Sequence, residues 1–289
     1  MKSLFIIIVL FLSGCNSSYT PPSSIPTVLV TLAPYSFFVD QIAQNTVNII
    51  TLIPPEFNPH LFEPTPQKID EAFKAALWLR SEEPYEKKIL STFASRKTPI
   101  KIINLLEGIP LRDFDEKEYN VCNSHSHARA SSDLHVWLNP KIAEIQAKII
   151  FEALTLLQPE HKEFYQKNYD ALIENLENLD KEISSLLSPL TKRTILVSHP
   201  SLGYYCDEYH LHQLSIECEG KDPRPQQVEK IFDLAKESDI QSVLIQAQYN
   251  NKGAILIAEK LHLTVHLIDP YSKDYINNLK LITEAIVSP

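Results

Sequence analysis

The chain of 289 residues carries 27 Lys and Arg against 36 Asp and Glu, for a formal charge of −9. That balance argues against a nucleic-acid binder, which needs a basic stripe to meet phosphates, and suits a carrier of cations. Only 5 glycines are present and none sits in a phosphate loop, so nucleotide binding has no motif behind it.

Met1-Lys2-Ser3 precedes an apolar stretch from Leu4 to Leu12, which runs into Ser13-Gly14-Cys15. One positive charge, an apolar run too short for a membrane span and small residues at its end read as a secretory signal over 1–14. Leu12-Ser13-Gly14-Cys15 resembles the bacterial lipobox, whose cysteine is lipidated and becomes the first mature residue. The other reading is an ordinary cleaved signal with Cys15 incidental. Residues 15–26, rich in Ser, Thr and Pro, bury little apolar surface and read as a lipidated tether. The expected location is the periplasm or the cell surface, with acyl chains holding the protein to a membrane.

Beyond the tether, β-branched runs alternate with helical patterns, the signature of parallel α/β structure. Strands are expected at 27–32, 47–53 and 100–105, then at 194–198, 213–217, 242–245 and 264–268. Helical patterns fall at 66–76, 139–156, 225–238 and 252–261. Between the halves a long helix opens with Pro159-Glu160 and stops before Ser188-Pro189. Its apolar stripe is Tyr165, Tyr169, Leu172, Leu176, Leu179, Ile183 and Leu186. At 1.5 Å per residue it would reach roughly 40 Å, enough to run down two stacked lobes; the same spacing would also serve a dimerising coiled-coil arm. The expected fold is α/β with two lobes, each a mostly parallel sheet with flanking helices, joined by one long backbone helix. The lobes cover 27–157 and 189–289, and the linking helix covers 158–188.

Cys122, Cys206 and Cys218 are an odd set in an exported chain; Cys206 and Cys218 either pair as a disulfide or remain buried thiols. Four other residues carry the chemistry. His60 lies in Asn58-Pro59-His60, His135 in Asp133-Leu134-His135-Val136-Trp137, His199 in Val197-Ser198-His199-Pro200 and Asp269 in Leu267-Ile268-Asp269-Pro270. Any one of them alone is ordinarily a hydrogen-bonded core or surface residue. Together, past strand ends or in Pro-bounded loops, they read as one site, with imidazole and carboxylate donors suited to a divalent ion such as zinc. Ligands collect beyond the carboxyl ends of parallel strands, and two donors come from each half, so the ion is expected in the cleft between lobes.

Residues around these four have two readings each. Glu63 either caps the helix after Pro66 or accepts a hydrogen bond from a ligand imidazole. Trp137 is core filler or a wall of the site. His125 and His127 are a second metal contact or part of a solvated loop. His161, His210, His212, His262 and His266 have no visible convergent partners.

Pro59-His60-Leu61-Phe62-Glu63-Pro64-Thr65-Pro66, Asp133-Leu134-His135-Val136-Trp137-Leu138-Asn139-Pro140, Ser198-His199 leading to Gly203-Tyr204, and Leu267-Ile268-Asp269-Pro270 resemble the motifs of the zinc- and manganese-binding solute-binding lipoproteins of bacterial ABC importers. The resemblance spans about residues 27 to 285. It implies two α/β lobes on one long helix, His60, His135, His199 and Asp269 as ligands, and a cargo of one divalent ion delivered to a membrane permease. It further implies a monomer, anchored to the membrane by lipid, that binds no nucleic acid and is not an enzyme. The third imidazole, His199, favours zinc over manganese or iron, which prefer harder oxygen donors. Three features depart from the family pattern: its His- and Asp-rich loop is reduced to Asn123-Ser124-His125-Ser126-His127, Leu134 stands where proline is usual in the second motif, and Gln246-Ala247-Gln248 replaces a usual Glu-Pro-Gln. The competing classes are a zinc hydrolase, with Glu63 as base if Asp269 is not a ligand, and a surface adhesin.

Overall fold

The structure is a computed structural model that describes residues 25–96, 99–113, 132–217 and 223–288. Cys15, Cys122, His125, His127 and Cys218 lie outside the described residues, and with them the expectations for the signal, the tether, the reduced loop and the Cys206–Cys218 pair.

Two four-stranded parallel sheets form the frame. In the first, β1 (Thr27–Val30) lies between β2 (Asn48–Thr51) and β3 (Leu77–Arg80), and β4 (Lys101–Asn104) closes the far edge. In the second, β5 (Thr194–Val197) lies between β6 (His212–Ser215) and β7 (Ser242–Gln246), with β8 (Thr264–Ile268) at the edge. Central strands of parallel sheets are covered on both faces and so need unbroken apolar runs. β1 and β5, reading TVLV and TILV, supply them and are buried over their last three residues. Edge strands β2 and β4, reading NIIT and KIIN, remain partly open.

The sequence patterns do not mark β3 because Leu77-Trp78-Leu79-Arg80 contains no β-branched residue; burial rather than propensity places it in the sheet. Nor do they mark α1 (Ala33–Ala43), which buries Tyr35, Phe38, Val39 and Ile42 together with Ala33, Pro34, Ser36 and Ala43. A helix covered nearly all round shows no polar stripe from which to read a period.

The long helix α5 (Lys162–Leu187) follows a short 3-10 turn, Pro159–His161. Its 26 residues span about 39 Å. Tyr165, Leu172, Leu176, Leu179, Ile183 and Leu187 are buried, whereas Leu186, expected in the stripe, is 38% exposed. A straight helix turns every 3.6 residues, so the inward face drifts from a seven-residue repeat and reaches Leu187 by the last turn. The stripe packs within the chain, against α1, α4 (Pro140–Leu157) and α9 (Tyr275–Val287), as a spine and not as a dimer arm.

One apolar cluster runs through both lobes, from Val28 and Leu77 through Leu176 and Ile183 to Val197, Leu244 and Ile282. A smaller cluster fills the space under α7 (Pro225–Glu237) and α8 (Lys252–Leu261). Aromatic rings and hydrogen bonds tie the lobes further. Tyr275 of α9 stacks on Phe37 of α1 with ring centroids 5.7 Å apart, and its hydroxyl donates to Trp137 O at 2.6 Å. Trp137, fully buried, donates its indole N–H to Pro270 O at 2.9 Å. It fills the core with its polar handle satisfied across the lobes, and its ring also walls His135, with centroids 5.4 Å apart.

Truncating the spine should separate its two faces. Leu176→Ala is expected to cost about 2–5 kcal/mol of unfolding free energy and Leu186→Ala less than about 1 kcal/mol, measured by urea denaturation of the metal-free protein. Equal losses would contradict the inward drift at the end of α5.

Candidate metal centre

Local chain chemistry sets each histidine. After β2, the Asn58 side chain accepts a hydrogen bond from His60 N at 2.9 Å and caps the 3-10 turn Pro59–Leu61, so His60 sits on a rigid turn. His135 precedes the 3-10 turn Val136–Leu138, which leads into α4. There Asn139 accepts from Lys141 N and Ile142 N, with Pro140 in the first helical turn. His199 follows β5 directly. Gln246, at the end of β7, donates its amide to His199 O at 2.6 Å and to Ser201 Oγ at 2.8 Å, while its backbone N–H reaches Ser198 Oγ at 3.1 Å. The first Gln of the Gln246-Ala247-Gln248 segment thus pins the loop that carries His199.

His60, His135 and His199 come together, each offering a ring nitrogen within 4.8 Å of the others. Ring centroids are 5.1 Å apart for His60 and His199, 5.3 Å for His135 and His199, and 5.6 Å for His60 and His135. Each ring has an acidic neighbour. Asp133 Oδ1 accepts from His135 Nδ1 at 2.8 Å and from its backbone N–H at 3.0 Å. Glu217 Oε2 lies 2.6 Å from His199 Nδ1, and Glu83 Oε2 lies 3.9 Å from His60 Nδ1. A carboxylate only accepts, so the proton of His135 and of His199 resides on Nδ1 and the Nε2 lone pair faces the other rings.

His199 Nε2 is buried and has no hydrogen-bond partner. A buried acceptor left without a donor costs about 1–3 kcal/mol, and a cation at that point would relieve the cost. Desolvation of the ring face turned toward the other imidazoles, in a side chain still 32% exposed, then the neighbouring His135, lowers the pKa of His60 to about 4, against an opposing pull from Asp133. Burial first, then His135 and His60, holds His199 well below the ordinary imidazole value. Both rings are therefore neutral, the form in which imidazole binds a metal. Glu83 is pushed up to about 8 by burial and then by the Glu86 charge.

The structure does not bring Asp269 into this group of three. Asp269 sits just past β8 as expected, but its Oδ1 accepts from Gln248 Nε2 at 2.6 Å and from Tyr271 N at 3.1 Å. N–H donors of Gln248 and Tyr271 thus occupy Oδ1. Both readings of Glu63 are also corrected. Thr65 caps α2 (Pro66–Ala72), and Glu63 is exposed and paired with Lys88 Nζ at 2.9 Å. Cys206 is buried on α6 (Gly203–Tyr209).

Several contributors escaped the sequence reading. Glu217 stands at the carboxyl end of the expected strand 213–217, a position that signals a site residue in a parallel sheet. Glu83 follows β3 and had no such signal, because that strand was itself unmarked. Tyr249 stacks on His199 with centroids 4.0 Å apart and rings inclined at 17°, and Tyr271, two residues past Asp269, places its hydroxyl 3.0 Å from His135 Nε2.

Known proteins share this arrangement of lobes. Residues 28–288 match the family model described as zinc-uptake complex component A, periplasmic, or ZnuA. A putative metal-binding protein of Chlamydia trachomatis is 30% identical over 290 residues, which cover all of both chains. The high-affinity zinc uptake system protein ZnuA of Bacillus subtilis is 29% identical over 274 residues, 90% of this chain and 85% of that protein. A crystal structure of ZnuA superposes with a TM-score of 0.83 at 29% identity, covering 91% of this chain and 98% of the other.

The depressed His60 pKa has a signed consequence for stability. An unfolded histidine protonates near 6.5 and native His60 only near 4, so between these values the unfolded state binds more protons. This contribution to stability is complete above about 6.5 and is lost as pH falls toward about 4. In metal-free protein, the wild type is expected to lose more urea stability than His60→Gln between pH 7 and 4.5. Parallel losses would show that His60 titrates as a solvated histidine.

Proposed function

The chain belongs to the ZnuA family of periplasmic zinc-uptake components, and from its three-imidazole centre we infer that it captures a divalent transition metal outside the cytoplasm and delivers it to an ABC permease. Zinc is the first choice of cargo, with manganese or iron second. The observation that carries this reading is the buried, partnerless His199 Nε2 grouped with the imidazoles of His60 and His135. Nitrogen donors of this kind favour zinc over manganese and iron in the ordinary order of divalent affinities.

In this reading Asp269 turns from Gln248 and Tyr271 N to become the fourth donor, a rearrangement within one short turn. A lipid on Cys15 holds a monomer to the membrane, and its working partners are the ion and the permease, not nucleic acid. Carrier function is favoured over hydrolysis because Glu63, the base that a hydrolase would need, points to solvent and pairs with Lys88. The core shared between lobes favours a small lobe shift on release over a wide hinge rotation.

Elemental analysis of protein taken from its native compartment should find zinc at close to one ion per chain. His199→Ala should weaken zinc binding by about 100-fold or more in competition with a chromophoric chelator, and Asp269→Ala by about tenfold or more. A His199→Ala protein with wild-type affinity would refute the three-imidazole centre. Unchanged affinity in Asp269→Ala would remove only the fourth donor.

A further inference from the structure

The histidines of the centre differ in what their free lone pairs meet. His199 Nε2 meets nothing, whereas His135 Nε2 lies 3.0 Å from the Tyr271 hydroxyl. With the His135 ring in the neutral form that a metal ligand requires and its Nδ1 proton donated to Asp133, Nε2 is the acceptor and Tyr271 donates. With its own proton committed, the Tyr271 oxygen accepts from the Tyr249 hydroxyl at 3.1 Å. Tyr271 is 2% exposed and Tyr249 is 8% exposed, so water does not readily replace either donor.

We propose that Tyr271 is a placeholder that caps His135 Nε2 in the metal-free carrier and must yield that lone pair when the ion enters, so that its hydroxyl lowers metal affinity and eases release. The proposal rests on the reading of His60, His135 and His199 as the metal centre. The hydroxyl stabilises the empty state alone, and a group that favours one of two states weakens the ligand that selects the other. It also holds the His135 ring in place between Asp133 on one nitrogen and Tyr271 on the other, and so keeps the ligand oriented while no ion is bound. Tyr249 links the cap to His199, on which its ring stacks.

Removing the hydroxyl therefore has an unusual sign. Tyr271→Phe in the full chain should bind Zn²⁺ about five- to tenfold more tightly than wild type, because the empty variant leaves His135 Nε2 buried without a donor. Its metal-free melting temperature should fall while that of the zinc-loaded form stays near wild type; a merely structural role would lower both. Tyr249→Phe keeps the Tyr271–His135 bond and should gain clearly less affinity. The ¹⁵N resonance of His135 Nε2 in metal-free protein provides an independent readout and should shift toward that of a non-hydrogen-bonded nitrogen in Tyr271→Phe. Unchanged or weaker zinc binding in Tyr271→Phe, beside a wild type that binds zinc, would overturn the placeholder and leave the metal centre standing. Failure of the wild type to bind zinc would overturn both.

Discussion

An imidazole can serve as a ligand only while it is neutral and presents its lone pair in a fixed direction; the hydrogen bonds that His135 and His199 donate to Asp133 and Glu217 set the direction, and desolvation sets the charge. Each carboxylate accepts the Nδ1 proton of its histidine at 2.6–2.8 Å and thereby fixes the tautomer. Burial then disfavours a second proton, as the lowered pKa values of His60 and His199 record. Without the carboxylates the rings could present either nitrogen, and without burial a proton would compete with the cation. The anchoring extends outward: Arg112 pairs with Asp133 Oδ2 at 3.3 Å and with Asp207 of α6 at 2.9 Å, so the carboxylate that orients His135 is braced from the opposite lobe.

That bracing depends on two lobes that do not drift apart. The apolar cluster continuous from β1 through α5 to α9 makes the halves parts of one packed body, and the indole of Trp137 and the hydroxyl of Tyr275 add polar ties across the junction. A protein interior packed in this way tolerates small shifts better than large ones. Of the three imidazoles, that of His60, carried on a turn, is the most exposed.

Much of this was legible in the chain. Strands that end in histidine, as at Val197-Ser198-His199, reveal a donor because strand period and ligand chemistry coincide there, and the spine stripe reveals α5. The failures share a physical cause, namely dependence on neighbours remote in sequence. Asp269 stands past its strand as expected, but the hydrogen bond its Oδ1 accepts from Gln248, at the end of another strand, is announced by nothing around it in sequence. Leu186 and Leu187 exchange places because a straight helix does not keep a seven-residue repeat. Glu83 could not be read at all, since β3, between β1 and β4, contains no β-branched residue to mark it as a strand.

The two sheets share one strand order, with β2-β1-β3-β4 answered by β6-β5-β7-β8. Under that correspondence the loop after β2, which leads to His60, matches the loop after β6, which leads to Glu217, while His199, two residues past β5, has the buried apolar Leu32 as its counterpart past β1. Backbone pseudo-symmetry therefore coexists with an asymmetric set of donors. Coordination chemistry is written in individual loops and the framework beneath it is duplicated, so the preference for one ion over another can change at a single strand terminus while both lobes keep their architecture.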